Sequence, residues 1–295
     1  MITGSLVALV TPMLDDGSVD YDTLEDLVEW HIAEGRQDAI VPVGTTGESA
    51  TLTADEHCDV MKRVVDVVNK RVPVIAGTGS NSTQEAILFT QAAKDAGADA
   101  CLLVTPYYNK PSQEGLFRHY EAIAKAVKLP QVLYNVPGRT ACDMLPGTVA
   151  RLAKLDEVIA IKEATADVDR TLETWNFAAH GLVVYSGDDA TAVDLMLNGA
   201  KGTISVTANV VPAAMHAVCK PLLPGTPTEA RKLNESLMGL HTGLFVEANP
   251  IPVKWALAEM GEIGPTIRLP LTTLAEEYHD AVRKALSQAG AGVMR

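Results

Sequence analysis

The sequence predicts an α/β protein built as a (β/α)8 barrel with a C-terminal helical extension, and three observations lead there. Eight short apolar, β-branched runs recur over about the first 210 residues. The intervals between them carry amphipathic helical patterns, and the strand signal stops after about residue 212. Near-continuous apolar strands alternating with helices mean a parallel sheet covered on its faces, and eight such units in this length suit the closed TIM barrel. An open doubly wound sheet is the competing arrangement. No GxGxxG turn follows the first run, which weakens its dinucleotide-binding version.

The runs are "LVALVTP" from Leu6, "AIVPVG" from Ala39, "VPVIAGTG" from Val72, "ACLLVTP" from Ala100, "QVLYNVP" from Gln131, "VIAIKEA" from Val158, "LVVYSGD" from Leu182 and "GTISVTAN" from Gly202. Their starts lie about 20 to 33 residues apart, room for one helix each. Intervals such as "DTLEDLVEWHIAEG" and "STQEAILFTQAAKDAGA" open on Asp or Ser and close on Gly, the usual signals of a helix start and stop. "PLLPGTPTEA" reads as a turn-rich joint, followed by helices at about 228–245, 250–260 and 271–289. The expected division is a catalytic barrel over residues 1–224 and a helical domain over 225–295.

Composition narrows the function. With 295 residues, 47% hydrophobic and 21% charged, the chain has the make-up of a globular protein with a large core. The formal charge of −13 is spread without a basic block, which argues against nucleic acid or an anionic membrane as the main partner. Cys58, Cys101, Cys142 and Cys219 are far apart and form no CxxC pair, so reduced thiols are expected. The opening "MITGSLVALVTPM" lacks a charged n-region, and no apolar run approaches the roughly 18 residues of a membrane span. A cytoplasmic location is the expectation. His31, His57, His119, His180, His216, His241 and His279 show no HExxH-like spacing, so no metal is expected, and Asp188 and Asp189 read as caps of the following helix.

In such a barrel the active site lies at the C-terminal ends of the strands, so the residues closing each run matter most. In "VIAIKEA", strand alternation puts Val158, Ala160, Lys162 and Ala164 on one face and Ile159 and Ile161 on the other. A buried ammonium is either paired, for instance with Glu163, drawn out to solvent, or kept partly neutral, and neutral lysine is a nucleophile. "GTTGES", Gly44 to Ser49, can present backbone N–H groups to an anion such as a carboxylate, or form a plain turn with Thr46 or Ser49 as helix cap. Tyr107, Tyr108 and Tyr134 bring three phenols to neighbouring strand ends in a chain only 5% aromatic, where they could relay protons. Arg139, in "PGRT", could fork a substrate carboxylate.

Together, "GTTGES" at 44, "TPYYNKP" at 105, "YNVPGRT" at 134 and "IKEA" at 161 resemble the pyruvate-dependent class I aldolase family, in order and spacing, over essentially the whole chain. The resemblance implies that Lys162 forms a Schiff base with pyruvate without metal or organic cofactor. It implies Tyr134 as general acid/base, with Thr45 and Tyr108 completing a proton relay and Thr45 and Thr46 holding the pyruvate carboxylate. Tyr108 would come from a neighbouring subunit, which implies a homotetramer made of two tight dimers. Gly187 and the backbone carbonyl of Ile204 would line the pocket. Arg139 favours the branch that condenses pyruvate with L-aspartate 4-semialdehyde, on the route to diaminopimelate and lysine. N-acetylneuraminate lyases and 2-keto-3-deoxy sugar acid aldolases, the alternative, lack the "PGRT" arginine. Positions matching the family's lysine-feedback site are Ser49, Ala50, His57, Asn81, Glu85 and Tyr107, with Ala54 standing where sensitive members often carry histidine.

Overall fold

A computed structural model of the protein describes residues 1–33, 36–177, 181–222 and 227–292. All eight predicted strands form: β1 (Gly4–Ala8), β2 (Ala39–Val41), β3 (Ile75–Gly77), β4 (Ala100–Val104), β5 (Gln131–Asn135), β6 (Val158–Glu163), β7 (Val183–Ser186) and β8 (Gly202–Ser205). They pair in parallel in the order β2-β1-β8-β7-β6-β5-β4-β3. The open edges of β2 and β3 meet through a parallel bridge between Ile40 and Val74 and a hydrogen bond from Gly77 N to Pro42 O. The sheet is thus a barrel, as the repeat count predicts.

Alternation along the strands creates two apolar layers. Leu6, Val41, Leu102, Val132, Ala160 and Ile204 help to fill the barrel interior. Their neighbours, among them Val7, Ile40, Leu103, Leu133 and Ile161, face the surrounding helices. The expected face assignment in β6 fails at its start. A register shift sets Gln131 opposite Val158 but the next residue, Val132, opposite Ala160. The extra residue re-phases the strand, so Val158 packs in the outer layer and Ile159 against the inner one, while Ala160 and Lys162 stay inward.

Helix starts follow side-chain chemistry. Thr53 caps Ala54–Val68 in a reciprocal box with Glu56, and Ser82 caps Thr83–Ala96, which ends on the left-handed Gly97. Neither Thr46 nor Ser49 is a cap. The helix Tyr21–Ile32 is capped by Asp20 and stops before Gly35, which lies outside the described residues. Part of "PLLPGTPTEA", including the 224/225 division, and His180 also lie outside them. Beyond, the helix expected over 228–245 is two, Pro227–Glu235 and Met238–Gly243, because the chain turns at Ser236 and Leu237. Ile251–Met260 falls as predicted, and the last helix is Glu276–Gln288, the residues from 271 to 275 being a bent, non-helical lead-in.

Candidate active site

The C-terminal ends of the strands enclose a cavity of about 120 Å³ lined by Thr45, Thr46, Tyr134, Arg139, Lys162 and Gly187, among others. Lys162 reaches it from β6 and is only 5% exposed. Register places it directly opposite Tyr134 of β5, and its Nζ lies 4.3 Å from the centre of that ring. Burial lowers the Lys162 pKa to about 8, Asp189 opposing the shift and Arg139 adding to it. Glu163 is not its counter-ion. That carboxylate faces the other side of the sheet, where Asn135 Nδ2 donates to Oε1 at 3.1 Å.

Burial raises the Tyr134 pKa, while Arg139 and the hydroxyl of Thr45 against the phenol work the other way and Glu163 adds to the rise. The phenol is therefore protonated at neutral pH, with the Thr45 hydroxyl against it and the Lys162 nitrogen over its ring. In the "GTTGES" turn, Gly47 N and Ser49 N are bound to Gly44 O and Glu48 N to Thr45 O. Among the described residues, no intrachain acceptor takes the amides of Thr45 and Thr46. Two N–H groups are thus available together, beside the Thr45 hydroxyl against the phenol and a Thr46 hydroxyl that accepts from Asn249 Nδ2 and keeps its own proton to donate, an arrangement suited to a carboxylate. Gly187 is required where it sits: a Cβ there would lie 2.9 Å from Lys162 Cε and 2.7 Å from Ala164 Cβ.

Other expected positions separate. Ile204 belongs to the inner apolar layer, and Val206 supplies the cavity wall at that strand's end. Tyr108 is 89% exposed with φ of +75° and is not among the residues lining this chain's cavity. Tyr107, Ser49 and Ala50 line an adjoining space of about 420 Å³, which shares Thr45 and Arg139 with the first. His57, Asn81 and Glu85 do not line it. His57 is buried, stacked on Phe89, with Nε2 2.8 Å from Gly77 O; Asn81 Nδ2 donates to Tyr107 O at 3.2 Å; Glu85 accepts from Ser80 Oγ. Asp188 does not cap the following helix, Ala192–Leu197, whose start at Thr191 carries no side-chain bond; it accepts from Thr191 N at 3.0 Å and so stiffens the turn before that helix. Nor does Asp189: its Oδ2 accepts from Val206 N and Thr207 N at 2.9 Å, bracing the end of β8.

One support was not foreseen. The C-terminal helices grip the "GTTGES" turn: Asn249 Nδ2 donates to Thr46 Oγ1 at 3.0 Å, and Asn249 O accepts from Arg139 at 3.1 Å. Glu48, at φ +57°, forms a buried ion pair with Lys254. Arg268 donates its backbone N–H to Glu48 and its guanidinium to Gly17 O, Thr51 O and Glu56. A lysine and an arginine remote in sequence give no local pattern that could have signalled this.

A parallel eight-stranded barrel whose rim holds a buried, pKa-lowered lysine beside a phenol is the class of lysine-nucleophile barrel enzymes. The chain belongs to the dihydrodipicolinate synthetase family, whose model matches residues 1–289. It is 61% identical over 290 residues, 98% of this chain and 99% of the relative, to the 4-hydroxy-tetrahydrodipicolinate synthase of Stutzerimonas stutzeri. Among solved structures it is similar to the chloride-inhibited dihydrodipicolinate synthase of Acinetobacter baumannii complexed with pyruvate, at TM-score 0.97 and 57% identity over 99% of this chain and 100% of that one. The lysine-bound enzyme of Cyanidioschyzon merolae matches at TM-score 0.93 and 40% identity over 98% of each chain.

Proposed function

We propose that the protein condenses pyruvate with L-aspartate 4-semialdehyde through a Schiff base on Lys162, yielding 4-hydroxy-tetrahydrodipicolinate for diaminopimelate and lysine biosynthesis. The observation that carries this is the setting of Lys162, buried at the rim with its pKa lowered to about 8 beside the Tyr134 phenol. Pyruvate's carboxylate rests on the amides and hydroxyls of Thr45 and Thr46, which brings its keto carbon to Nζ. Nζ attacks, the carbinolamine oxygen leaves as water with protons carried by Tyr134, and a protonated imine remains. The imine takes up the electron pair as a methyl proton departs. The resulting enamine carbon bonds to the semialdehyde's aldehyde carbon, while Arg139 holds that substrate's carboxylate. The substrate amine then displaces Nζ, closing the ring and freeing Lys162.

The cavity of about 120 Å³ suits a three-carbon keto acid, and Arg139 on its wall favours this reading over a sugar-acid aldolase. Gly187 and the Ile204 carbonyl complete the pocket in this proposal. The 1–224 barrel supplies the reacting groups and the 225–295 helices brace them. An exposed Tyr108 is consistent with donation to the site of a second copy, so a homotetramer of two dimers is the assembly we favour, in the cytoplasm. Ser49, Ala50 and Tyr107 around the adjoining space, with His57, Asn81 and Glu85 behind it, form the site proposed for lysine feedback.

Borohydride reduction in the presence of pyruvate, followed by peptide mass analysis, tests the chemistry: reduced pyruvate is expected on Lys162 alone. Arg139→Ala is expected to keep that adduct and lose turnover with the semialdehyde. Wild-type protein without an adduct, or turnover of N-acetylneuraminate in preference to the semialdehyde, would overturn the assignment.

A further inference from the structure

Two residue pairs stand side by side on β5 and β6. Tyr134 is opposite Lys162, and one step on Asn135 is opposite Glu163. Successive strand residues face opposite sides. The first pair therefore looks into the cavity, and the second into the layer between sheet and helices, where Asn135 and Glu163 are 0% and 1% exposed.

Asn135 is fully used. Its Oδ1 accepts from Met144 N at 3.0 Å, which fixes the amide orientation because a backbone N–H can only donate. One face of Nδ2 then meets Asp143 Oδ1 at 2.9 Å, and the other meets both oxygens of Glu163 at 3.1 and 3.3 Å. Arg170 closes the group from the helix Val168–Phe177, donating to Asp143 at 3.1 Å and to Met144 O at 3.2 Å. Residues 135 and 143–144 are the two ends of the loop that carries Arg139. The same carboxamide thus joins the strand of Tyr134 to the strand of Lys162 and ties off the Arg139 loop.

We infer that Asn135 and Glu163 are positioning residues for the reaction, a clamp on the back of the sheet that sets Lys162 against Tyr134 and holds the loop of Arg139. Burying a carboxylate here carries a desolvation cost that apolar packing of this layer would avoid. Burial raises the Glu163 pKa to about 7, against the opposing hydrogen bond from Asn135. The clamp also has an electrostatic output. The groups bearing on the Tyr134 phenol are Arg139, Thr45 and Glu163, with Lys162 over its ring, and of these Glu163 alone supplies negative charge.

The inference rests on the Schiff-base reading, and the test separates the two. Pyruvate imine formation, trapped by borohydride, and steady-state kcat and KM are measured for wild type, Glu163→Gln, Asn135→Ala and Tyr120→Phe. The last removes a buried bond to Leu103 O elsewhere in the outer layer, as a structural control. Glu163→Gln is nearly isosteric and keeps an acceptor for Ala164 N, so it remains informative should Asn135→Ala fail to fold. Misplaced reacting groups cost about 10- to 100-fold in rate. Glu163→Gln is expected to slow imine formation by about that range with KM for pyruvate within about threefold, and to move the alkaline limb of kcat to lower pH as the Tyr134 phenol loses its anionic neighbour. Tyr120→Phe should lose stability and leave both unchanged. Wild-type imine rates and an unmoved alkaline limb in Glu163→Gln overturn the inference, as does a rate loss matched by the control at equal loss of stability. A wild type that forms no adduct overturns the Schiff-base reading and this inference with it.

Discussion

Imine formation needs the neutral amine of Lys162, so its rate should follow the titration of that group. Lowering the pKa from 10.5 to about 8 leaves about one molecule in ten neutral at pH 7, against about three in 10,000 for an unperturbed lysine. The gain is about 300-fold in reactive enzyme before any positioning effect. The assay is the rate of pyruvate adduct capture by cyanoborohydride from about pH 6 to pH 10. The rate should rise about tenfold per pH unit and level off near pH 8. Two substitutions should move the midpoint in opposite directions. Asp189→Asn removes the negative charge that holds the Lys162 pKa up, while its amide oxygen can still accept from Val206 N and Thr207 N, so the plateau should come at lower pH. Arg139→Met removes a positive charge that depresses it and should delay the plateau. A rate still climbing at pH 10, or shifts of the same sign in both variants, would refute burial as the source of the nucleophile.

Two further outcomes follow from packing. Gly187→Ala places a methyl 2.9 Å from Lys162 Cε and 2.7 Å from Ala164 Cβ, so trapping of the pyruvate adduct should fall by an order of magnitude or more and urea unfolding should show a loss of about 1–3 kcal/mol, with circular dichroism little changed. Lys254→Met strands the buried Glu48 carboxylate and should cost about 3–5 kcal/mol in urea unfolding, whereas the double change Glu48→Met with Lys254→Met should recover much of that loss yet still raise KM for pyruvate, because the turn holding Thr45 and Thr46 loses its tie. Equal costs for single and double variants would show that the pair is not coupled.

Legibility in the sequence depended on the range of the interaction. Strand positions were readable because each run is a local pattern, and so was the inward face of Lys162 at the strand's end. The phase of Val158 and Ile159 was not, because it depends on how β6 meets β5 at Gln131 and Val132. The single helix expected over 228–245 missed its interruption because amphipathic periodicity continues through Ser236 and Leu237. Within "YNVPGRT", Tyr134 and Arg139 stood out by chemistry, while no local pattern singles out Asn135; its meaning appears only when Glu163 is placed across from it. Tyr107 and Tyr108 were adjacent in sequence and therefore grouped, yet the positive φ at Tyr108 sends them to different surroundings.

Arg268 gives the molecule an order in time. Its contacts reach back 251 residues to Gly17 O, 220 to Glu48 and 217 to Thr51 O. Lys254 and Asn249 close comparable spans onto Glu48 and Thr46. A chain emerging at about 5–20 residues per second presents its strands and helices in order, but the ties on the "GTTGES" turn wait for the last part to be made. The eight strands lie before residue 206, and the contacts that hold this turn lie after residue 248. A chain that ends before Asn249 therefore carries Lys162 but lacks every one of these ties to the turn beside it.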